Sequence, residues 1–402
     1  MLYWNERICI SCQVRIVKYI GEEKKLNIAM LGHKRIPSRE GGVEVVVDEL
    51  STRMAAKGHK VIVYNRMGDH ISGKEYGTVY LKEYKDVQLK KVLAINKKGL
   101  AAMTSSFFAA VCAAFGKYDV VHFHAEGPCA MIWIPKLFGK KVIATIHGLD
   151  WQRAKWGGFA TRYLKFGEKM AVKYADEIIV LSKNVQKYFS DKYGRQTVYI
   201  PNGISVPKIE PAQLITEKWG LEKNSYILFL GRIVPEKGIL YLIDAFKNVS
   251  TNKKLVIAGG ASDTNEFMDE VKERAKDDDR IVFTGFVQGQ VLEELYSNAY
   301  IYTLPSDLEG MPISLLEAMS YGNCCLVSDI PECTEVVKDK AVVFKHSDIA
   351  DLTDKLQMIC KNPDMVQKYR RNANRYICSR FNWDDVVDRT MELYKVDESF
   401  VS

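Results

Sequence analysis

The sequence has no apolar run long enough to cross a bilayer. No stretch reaches the roughly 18 uninterrupted apolar residues that a spanning helix needs. The longest candidate, residues 100–115, is broken by Thr104, Ser105 and Ser106 and is expected to be a buried helix. Residues 1–25 carry scattered charges and no clean apolar core. An N-terminal extension is expected there, not a signal peptide or an anchor. Cysteine supplies no disulfide framework. There are nine, an odd number, and the one Cys-x-x-Cys pair, Cys9 and Cys12, lacks a second pair to complete a zinc site. The thiols are expected to be free in a reducing cytosol, with Cys324, Cys325 and Cys333 as packing residues. Closely spaced glycines are also missing after the first predicted strand, where Gly32 is followed only by the distant Gly41 and Gly42. A dinucleotide loop needs G-x-G-x-x-G, so a dehydrogenase is excluded. No Asp-x-Asp stands at a strand end, since "KDDDR" (residues 276–280) falls between a predicted helix and a strand. No metal site is expected, and internal repeats are absent.

What is present is an ordinary globular composition: 402 residues, 47% hydrophobic and 27% charged, enough for two or three domains. The charge is unevenly divided. Residues 1–200 carry +15 and residues 201–402 carry −8, making the net +7. Such asymmetry points to an anionic partner for the first half. Short β-branched runs such as "LNIAMLG", "KVIVYN", "YDVVHFH", "KKVIATIHG" and "EIIVLS" read as strands, and helical patterns separate several of them. The alternation restarts after Pro207 with "SYILFLGRI", "KLVIAGG", "RIVFTGFV", "AYIYTLP" and "NCCLVSD". The pattern predicts an α/β fold of two Rossmann-like domains, with parallel sheets covered on both faces. The joint is expected near "IPNGISVPKIEPAQ", where prolines and a glycine turn the chain.

The chemistry concentrates in two stretches. In "SDLEGMPISLLEAMSYGN" (residues 306–323), Pro312 suits the first position of a helix and Gly322 the position just past its end. The free N–H groups at such a start attract an anion. Side chains lean toward the helix N-terminus, so Glu317 tilts back to that anion and Glu309 stands in the loop ahead of it. Carboxylates repel phosphate, so this pair suits the hydroxyls of a sugar on either side of one. In "GRIVPEKG" (residues 231–238), Arg232 and Lys237 follow the strand "YILFL" directly, at the carboxyl end where ligands bind in open α/β sheets. A planar guanidinium and a mobile ammonium together suit a diphosphate.

G-R-x₄-K-G followed by E-x₇-E, in the second of two Rossmann-like domains, resembles the retaining glycosyltransferases of family 4. The resemblance spans about residues 26–396. It implies the GT-B fold: an acceptor domain at 26–203, a donor domain at 204–383, a cleft between them, and a helix within 384–402 crossing back to the first domain. It implies transfer of a hexose or deoxyhexose from a nucleotide-diphosphate sugar to a hydroxyl, with retention, no metal and no cofactor. By the same resemblance Glu309 contacts donor-sugar hydroxyls and Glu317 the ribose. Arg232 and Lys237 clamp the diphosphate, Gly310, Met311 and Pro312 line the turn over sugar and phosphate, and Gly41 and Gly42 approach the phosphates. His147, in "TIHGLD", lies near the transferred sugar, and "YIPNG" is the interdomain hinge. "GHKRIPSREGGVEVVVDEL" is similar to the first loop of bacterial polysaccharide rhamnosyltransferases, which extend lipid-linked oligosaccharides for capsule or cell-wall polymers. His122 and His124 are expected to face opposite sides of their strand. His124 and Glu126, nearer its carboxyl end, are expected to touch the acceptor.

The basic first half adds an expectation of its own. "KKVLAINKKGL" holds Lys90, Lys91, Lys97 and Lys98. "WQRAKWGGFATRYLKFGEKM" mixes Trp151, Trp156, Phe159, Tyr163 and Phe166 with Arg153, Lys155, Arg162, Lys165 and Lys169. Rings and cations together suit the bilayer interface. The protein is therefore expected in the cytoplasm, peripheral on the inner face of an anionic membrane and acting on a lipid-linked saccharide. Two other readings compete. One is GT-B chemistry of another kind, a sugar phosphorylase or nucleotide-sugar epimerase. The other is a non-enzymatic nucleic-acid-binding protein, which leaves Glu309 and Glu317 unexplained and has no recognised nucleic-acid module.

Overall fold

The structure is a computed structural model that describes residues 24–68, 81–95, 100–153, 157–260 and 266–395. Cys9, Cys12, Lys97, Lys98, Lys155 and Trp156 lie outside the described residues. The first sheet has eight strands: β1 (Asn27–Leu31), β2 (Lys60–Arg66), β3 (Glu83–Tyr84), β4 (Val87–Val92), β5 (Val120–His124), β6 (Lys141–Ile146), β7 (Glu177–Val180) and β8 (Val198–Tyr199). Their order is β3-β4-β2-β1-β5-β6-β7-β8, and every pair is parallel except β3–β4. The second sheet is wholly parallel, in the order β11-β10-β9-β12-β13-β14. Its strands are β9 (Tyr226–Leu230), β10 (Lys254–Ala258), β11 (Ile281–Gly285), β12 (Ile301–Leu304), β13 (Cys325–Ser328) and β14 (Val342–Phe344). Cys324, Cys325 and Cys333 are buried free thiols packed in the cores on either side of the second sheet.

Alternation along the buried strands divides the first domain into two layers. Ile28 and Met30 of β1 face one core, shared with α1 (Gly42–Ala56) and with a helix from the chain's far end. Ala29 and Leu31 face the other core, covered by α2 (Leu100–Phe115), α3 (Glu126–Cys129), α4 (Trp133–Leu137) and α5 (Gly158–Tyr174). Beyond these, the second domain supplies α6 (Ile313–Ser320), and α7 (Trp383–Tyr394) crosses back to the first. Asn382 caps α7, its side chain accepting from the Asp384 N–H at 2.7 Å. Trp383, Val387 and Tyr394 of α7 join the core of α1, while Asp384 and Asp388 pair with Arg53 and Lys57 of α1 at 2.7 Å each.

Three local expectations need correction. Residues 100–115 do form a helix, but it is not buried all round. Its small residues, Ser105, Ser106, Ala109, Ala110, Ala113 and Ala114, face the core, and Phe107, Phe108 and Phe115 are exposed. Close packing of the backbone on the sheet selects the small face. Lys90 and Lys91 lie in strand β4, read from sequence only as a basic segment. His122 and His124 share one face of β5, their rings stacked at 4.2 Å, because residues two apart on a strand point the same way.

Candidate active site

The strand order of the second sheet reverses between β9 and β12, and a crevice opens outside the carboxyl ends of strands at such a point. β9 runs into Gly231 and Arg232 and then a short turn, Pro235–Lys237; β12 runs into the loop ahead of α6. The two meet where Lys237 Nζ donates to Glu309 Oε1 at 2.5 Å. The Ser306 hydroxyl donates to the same oxygen at 2.6 Å. Both charged side chains are buried. Arg232 is half-buried and makes no ion pair or hydrogen bond among the described residues. Burial, then repulsion from Arg153, holds its guanidinium below the usual arginine range. An uncompensated cation in that position favours an incoming anion.

α6 begins beside this pair. Pro312 sits at its cap and not in its first turn, because a ψ of 100° lies outside the helical range. No side chain caps this end. Glu317 accepts from the Tyr296 hydroxyl at 3.0 Å and pairs with Arg39 from the first domain's glycine loop. Asn202 of the hinge meets Met311, its N–H directed at the sulfur at 3.0 Å.

The first domain also meets the second through two glycines and an arginine. A Cβ on Gly42 would stand 3.5 Å from Ile313 of α6, and the neighbouring Gly41 caps α1 in extended conformation. Gly310 lies against the His147 backbone so closely that a Cβ there would come within 1.6 Å of the carbonyl oxygen. Arg153 reaches across to Glu236 at 3.4 Å and also donates to Asp150 at 2.8 Å. Its side chain is only 19% exposed, so it faces the cleft and not a membrane, contrary to its placement among the surface cations.

Behind the His147 loop lies a sealed polar layer. His124 and Glu126, expected at the acceptor, are both 0% exposed, and their neighbours are other protein groups. His124 Nδ1 stands 3.2 Å from His147 Nε2. Burial, then the Asp150 and Glu168 carboxylates, pushes the Glu126 carboxyl far above the usual carboxylate range, so it is protonated at neutral pH. Glu168 of α5 is the ionised partner. Burial opposes its charge, but donors from Tyr193, Lys192 and Tyr188 outweigh burial and hold its carboxyl below the usual range. Glu168 also accepts from Trp151 Nε1 at 3.0 Å and so ties down the loop that carries His147. Among the described residues, no group of three or more His, Cys, Asp or Glu side chains is placed to hold a metal ion.

Residues 40–207 match the model of Glycosyltransferase Family 4, and residues 212–376 that of Glycosyl transferases group 1. The chain belongs to glycosyltransferase family 4. It is 27% identical over 301 residues, 69% of this chain and 75% of the other, to the UDP-Gal:alpha-D-GlcNAc-diphosphoundecaprenol alpha-1,3-galactosyltransferase of Escherichia coli. An uncharacterized glycosyltransferase of Methanocaldococcus jannaschii is 24% identical over 70% of this chain and 76% of its own. In structure the glycosyltransferase resembles a sucrose-phosphate synthase of Thermosynechococcus elongatus (TM-score 0.76, 20% identity, 92% and 98% of the two chains). It also resembles an Anabaena protein solved with UDP and glucose (TM-score 0.75, 16% identity, 91% and 98%). The fold is GT-B. Two residues at the candidate site, Arg39 and Arg153, were not read as such from sequence, nor was Glu168, which braces the His147 loop from behind. Arg39 stands two residues before Gly41, a signal that was available. Glu168 lies in a helix amid basic residues and has no local signal at all.

Proposed function

We propose that this glycosyltransferase moves a hexose or deoxyhexose from a nucleotide-diphosphate sugar to a hydroxyl of a lipid-linked glycan, retaining the anomeric configuration. The observation that carries the reading is the convergence of Lys237, Arg232, Glu309 and the uncapped start of α6 at the reversal point of the second sheet. In this reading Arg232, Lys237 and the α6 N–H groups hold the diphosphate, and Gly41 and Gly42 approach it from the other domain. Glu309 accepts from donor-sugar hydroxyls beside Gly310, Met311 and Pro312, Glu317 accepts from the ribose, and His147 contacts the transferred sugar. The bond from the anomeric carbon to the phosphate oxygen breaks as the acceptor oxygen attacks from the same face. The acceptor proton passes to the departing phosphate. Fixed cations and helix N–H groups stabilise the charge that develops there. Because that neutralisation comes from the protein, excess chelator should leave the rate within about a factor of two.

The lipid-linked acceptor is supported by relatives: the galactosyltransferase of Escherichia coli named for a diphosphoundecaprenol substrate, an O-antigen chain mannosyltransferase of Salmonella typhimurium and a phosphatidyl-myo-inositol mannosyltransferase of Mycobacterium leprae. Capsule, exopolysaccharide or cell-wall polysaccharide synthesis would use such an enzyme. Among the described residues no helix is long and apolar enough to cross a membrane. Attachment is therefore proposed to be peripheral, on the cytoplasmic leaflet. Its support is an exposed stripe on α5, in which Phe159, Arg162, Phe166, Lys169 and Lys173 follow one another at three- and four-residue spacing. Helix α2, in the same layer but packed on α3 and α4 and not on α5, has no charged residue and shows three phenylalanines.

A thermal-shift panel of nucleotide sugars identifies the donor, because a ligand raises stability by mass action. The stabilising sugar is then supplied with a polyprenyl-diphosphate-linked saccharide, and the anomeric coupling of the product is read by NMR. Stabilisation followed by an α-linked product from an α-donor is expected. An inverted product, or turnover of the donor to another nucleotide sugar with no acceptor present, would overturn the reading.

A further inference from the structure

Four imidazoles converge behind the loop that carries His147: His33, His122, His124 and His147. The central pair is His124 and His147, with Nδ1 of the first 3.2 Å from Nε2 of the second. Both rings are held neutral. Burial pushes His147 down to about 4, against Glu44 of α1 and Asp150 of its own loop, which favour the protonated form, while Arg153 opposes it. Burial lowers His124 further, and the neighbouring His122, His147 and His33 add to that. Between two neutral imidazoles a single proton makes the bond, and one ring must bring it.

The surroundings decide which. His124 Nε2 is fully enclosed and has no hydrogen-bond partner among the described residues. If His147 donated from Nε2, His124 would have to carry its own proton on its Nε2, as an enclosed N–H with no acceptor. Orphaned buried donors are rarer than orphaned acceptors. If His124 donates from Nδ1, its Nε2 is only a bare lone pair. His147 then accepts at Nε2, and its proton sits on Nδ1, which makes no hydrogen bond among the described residues. We infer that His124 locks His147 in the Nδ1–H tautomer, so that His147 meets its ligand as a hydrogen-bond donor and not as a base. The lock is braced from behind. His124 stacks on His122, whose two nitrogens are engaged by the Thr145 hydroxyl at 2.7 Å and the Tyr394 hydroxyl at 2.5 Å. Tyr394 ends α7, so the crossing helix reaches the active histidine through two rings.

The tautomer is a property of the fold, whereas its use rests on the transferase reading. There, an Nδ1–H can donate to a sugar hydroxyl or a phosphate oxygen, but it cannot take the acceptor's proton. His124 is thus a positioning residue.

The test is two-bond proton–nitrogen NMR of the full chain carrying ¹⁵N-labelled histidine, with His147 assigned by its absence in His147→Gln. A neutral Nδ1–H pattern for His147 is expected at neutral pH. An Nε2–H pattern, or rapid averaging of the two, would overturn the inference whatever the enzyme's substrate proves to be. His124→Asn places an amide donor where Nδ1 stood and should keep the pattern. His124→Leu should release it. In turnover, His124→Leu should lose about tenfold or more in kcat with donor KM little changed, since misorientation acts on the chemical step. His124→Asn should recover most of that loss. The bond from His124 occupies the lone pair that a second proton would take, so the pH at which the His147 ring protonates, read from the same spectra, should rise in His124→Leu. Equal losses in both variants with an unmoved His147 titration would mean that His124 only fills space. If the Leu variant does not fold, the wild-type and Asn spectra decide alone.

Discussion

Glu309 and Lys237 satisfy each other at 2.5 Å, yet in the proposed reaction each serves a different ligand group. Glu309→Gln keeps the shape and removes the charge that strengthens a hydroxyl hydrogen bond. Such bonds are worth about 1.5–3 kcal/mol, so kcat/KM should fall at least roughly tenfold. Lys237→Ala should lose more, because the diphosphate gains charge as its bond breaks. Steady-state kinetics on folded variants checks both, and near-wild-type transfer by either would remove them from the site. Glu126 offers a test of the sealed layer behind them. Its carboxyl is raised well above its ordinary value of 4.5. Between those two values the native state keeps a proton that the unfolded chain releases, so stability falls as pH rises. Glu126→Gln keeps the shape and holds no titrating proton, so it lacks that penalty. Its melting temperature should exceed the wild type's by several degrees near pH 8, and the gain should vanish near pH 4. An equal shift at both values would show that Glu126 is not a protonated carboxyl.

At the scale of elements, α2 and α5 show how one layer can serve a core and a surface at once. α2 turns alanine and serine inward and phenylalanine outward, and Phe115 pairs edge-on with Phe138 at 4.7 Å next to the exposed Leu137. Phe115 and Phe159 are each 74% exposed, so these rings contribute little to folding. Burial of such a side chain is worth about 1.5–3 kcal/mol, so the double variant Phe108→Ser, Phe115→Ser should weaken liposome binding at least tenfold. Its melting temperature should hold or rise. Flotation with unchanged recovery would exclude α2 from the contact. Trp151, by contrast, belongs inside: it donates to Glu168, and Lys165 Nζ lies 4.3 Å from its ring centroid.

For the whole molecule the relevant quantity is the division of charge, +15 against −8. A cation near an anionic leaflet gains about 1 kcal/mol, and salt shortens the range of that attraction to roughly 8 Å at physiological strength. Flotation should therefore need anionic lipid and decline steeply with added salt. Replacing Arg162, Lys169 and Lys173 by Ser should release the protein without changing nucleotide binding. Arg153 is left out of that set because it closes the cleft against Glu236. Indifference to anionic vesicles at low salt would mean a soluble acceptor. Closure has its own electrostatics. Arg39 on Glu317 is an interdomain attraction, and Arg153 beside Arg232 is an interdomain repulsion.

Local pattern was enough to read the two parallel sheets and the glutamates and cations at the ends of β9 and β12. Each of these depends on short-range rules: β-branched runs bounded by glycine, a proline at a helix start, charges directly after a strand. The short strands β3 and β14 were not read, because a few residues carry too little periodicity, and β4 was not read because its lysines hide the strand pattern. Burial and facing were decided only by assembly. Nothing local says that Phe115 points to solvent while Ala113 meets the sheet, or that Arg153 turns to the cleft while Arg162 turns away. Those outcomes depend on which helix covers which strand. The same holds for the imidazoles: His122 and His124 are visible as letters in one strand, and His147 just past another. Their stacking, their shared proton and the brace from Tyr394 exist only where β5, β6 and α7 come together, since hydrogen bonds and burial depend on distance in space and not along the chain.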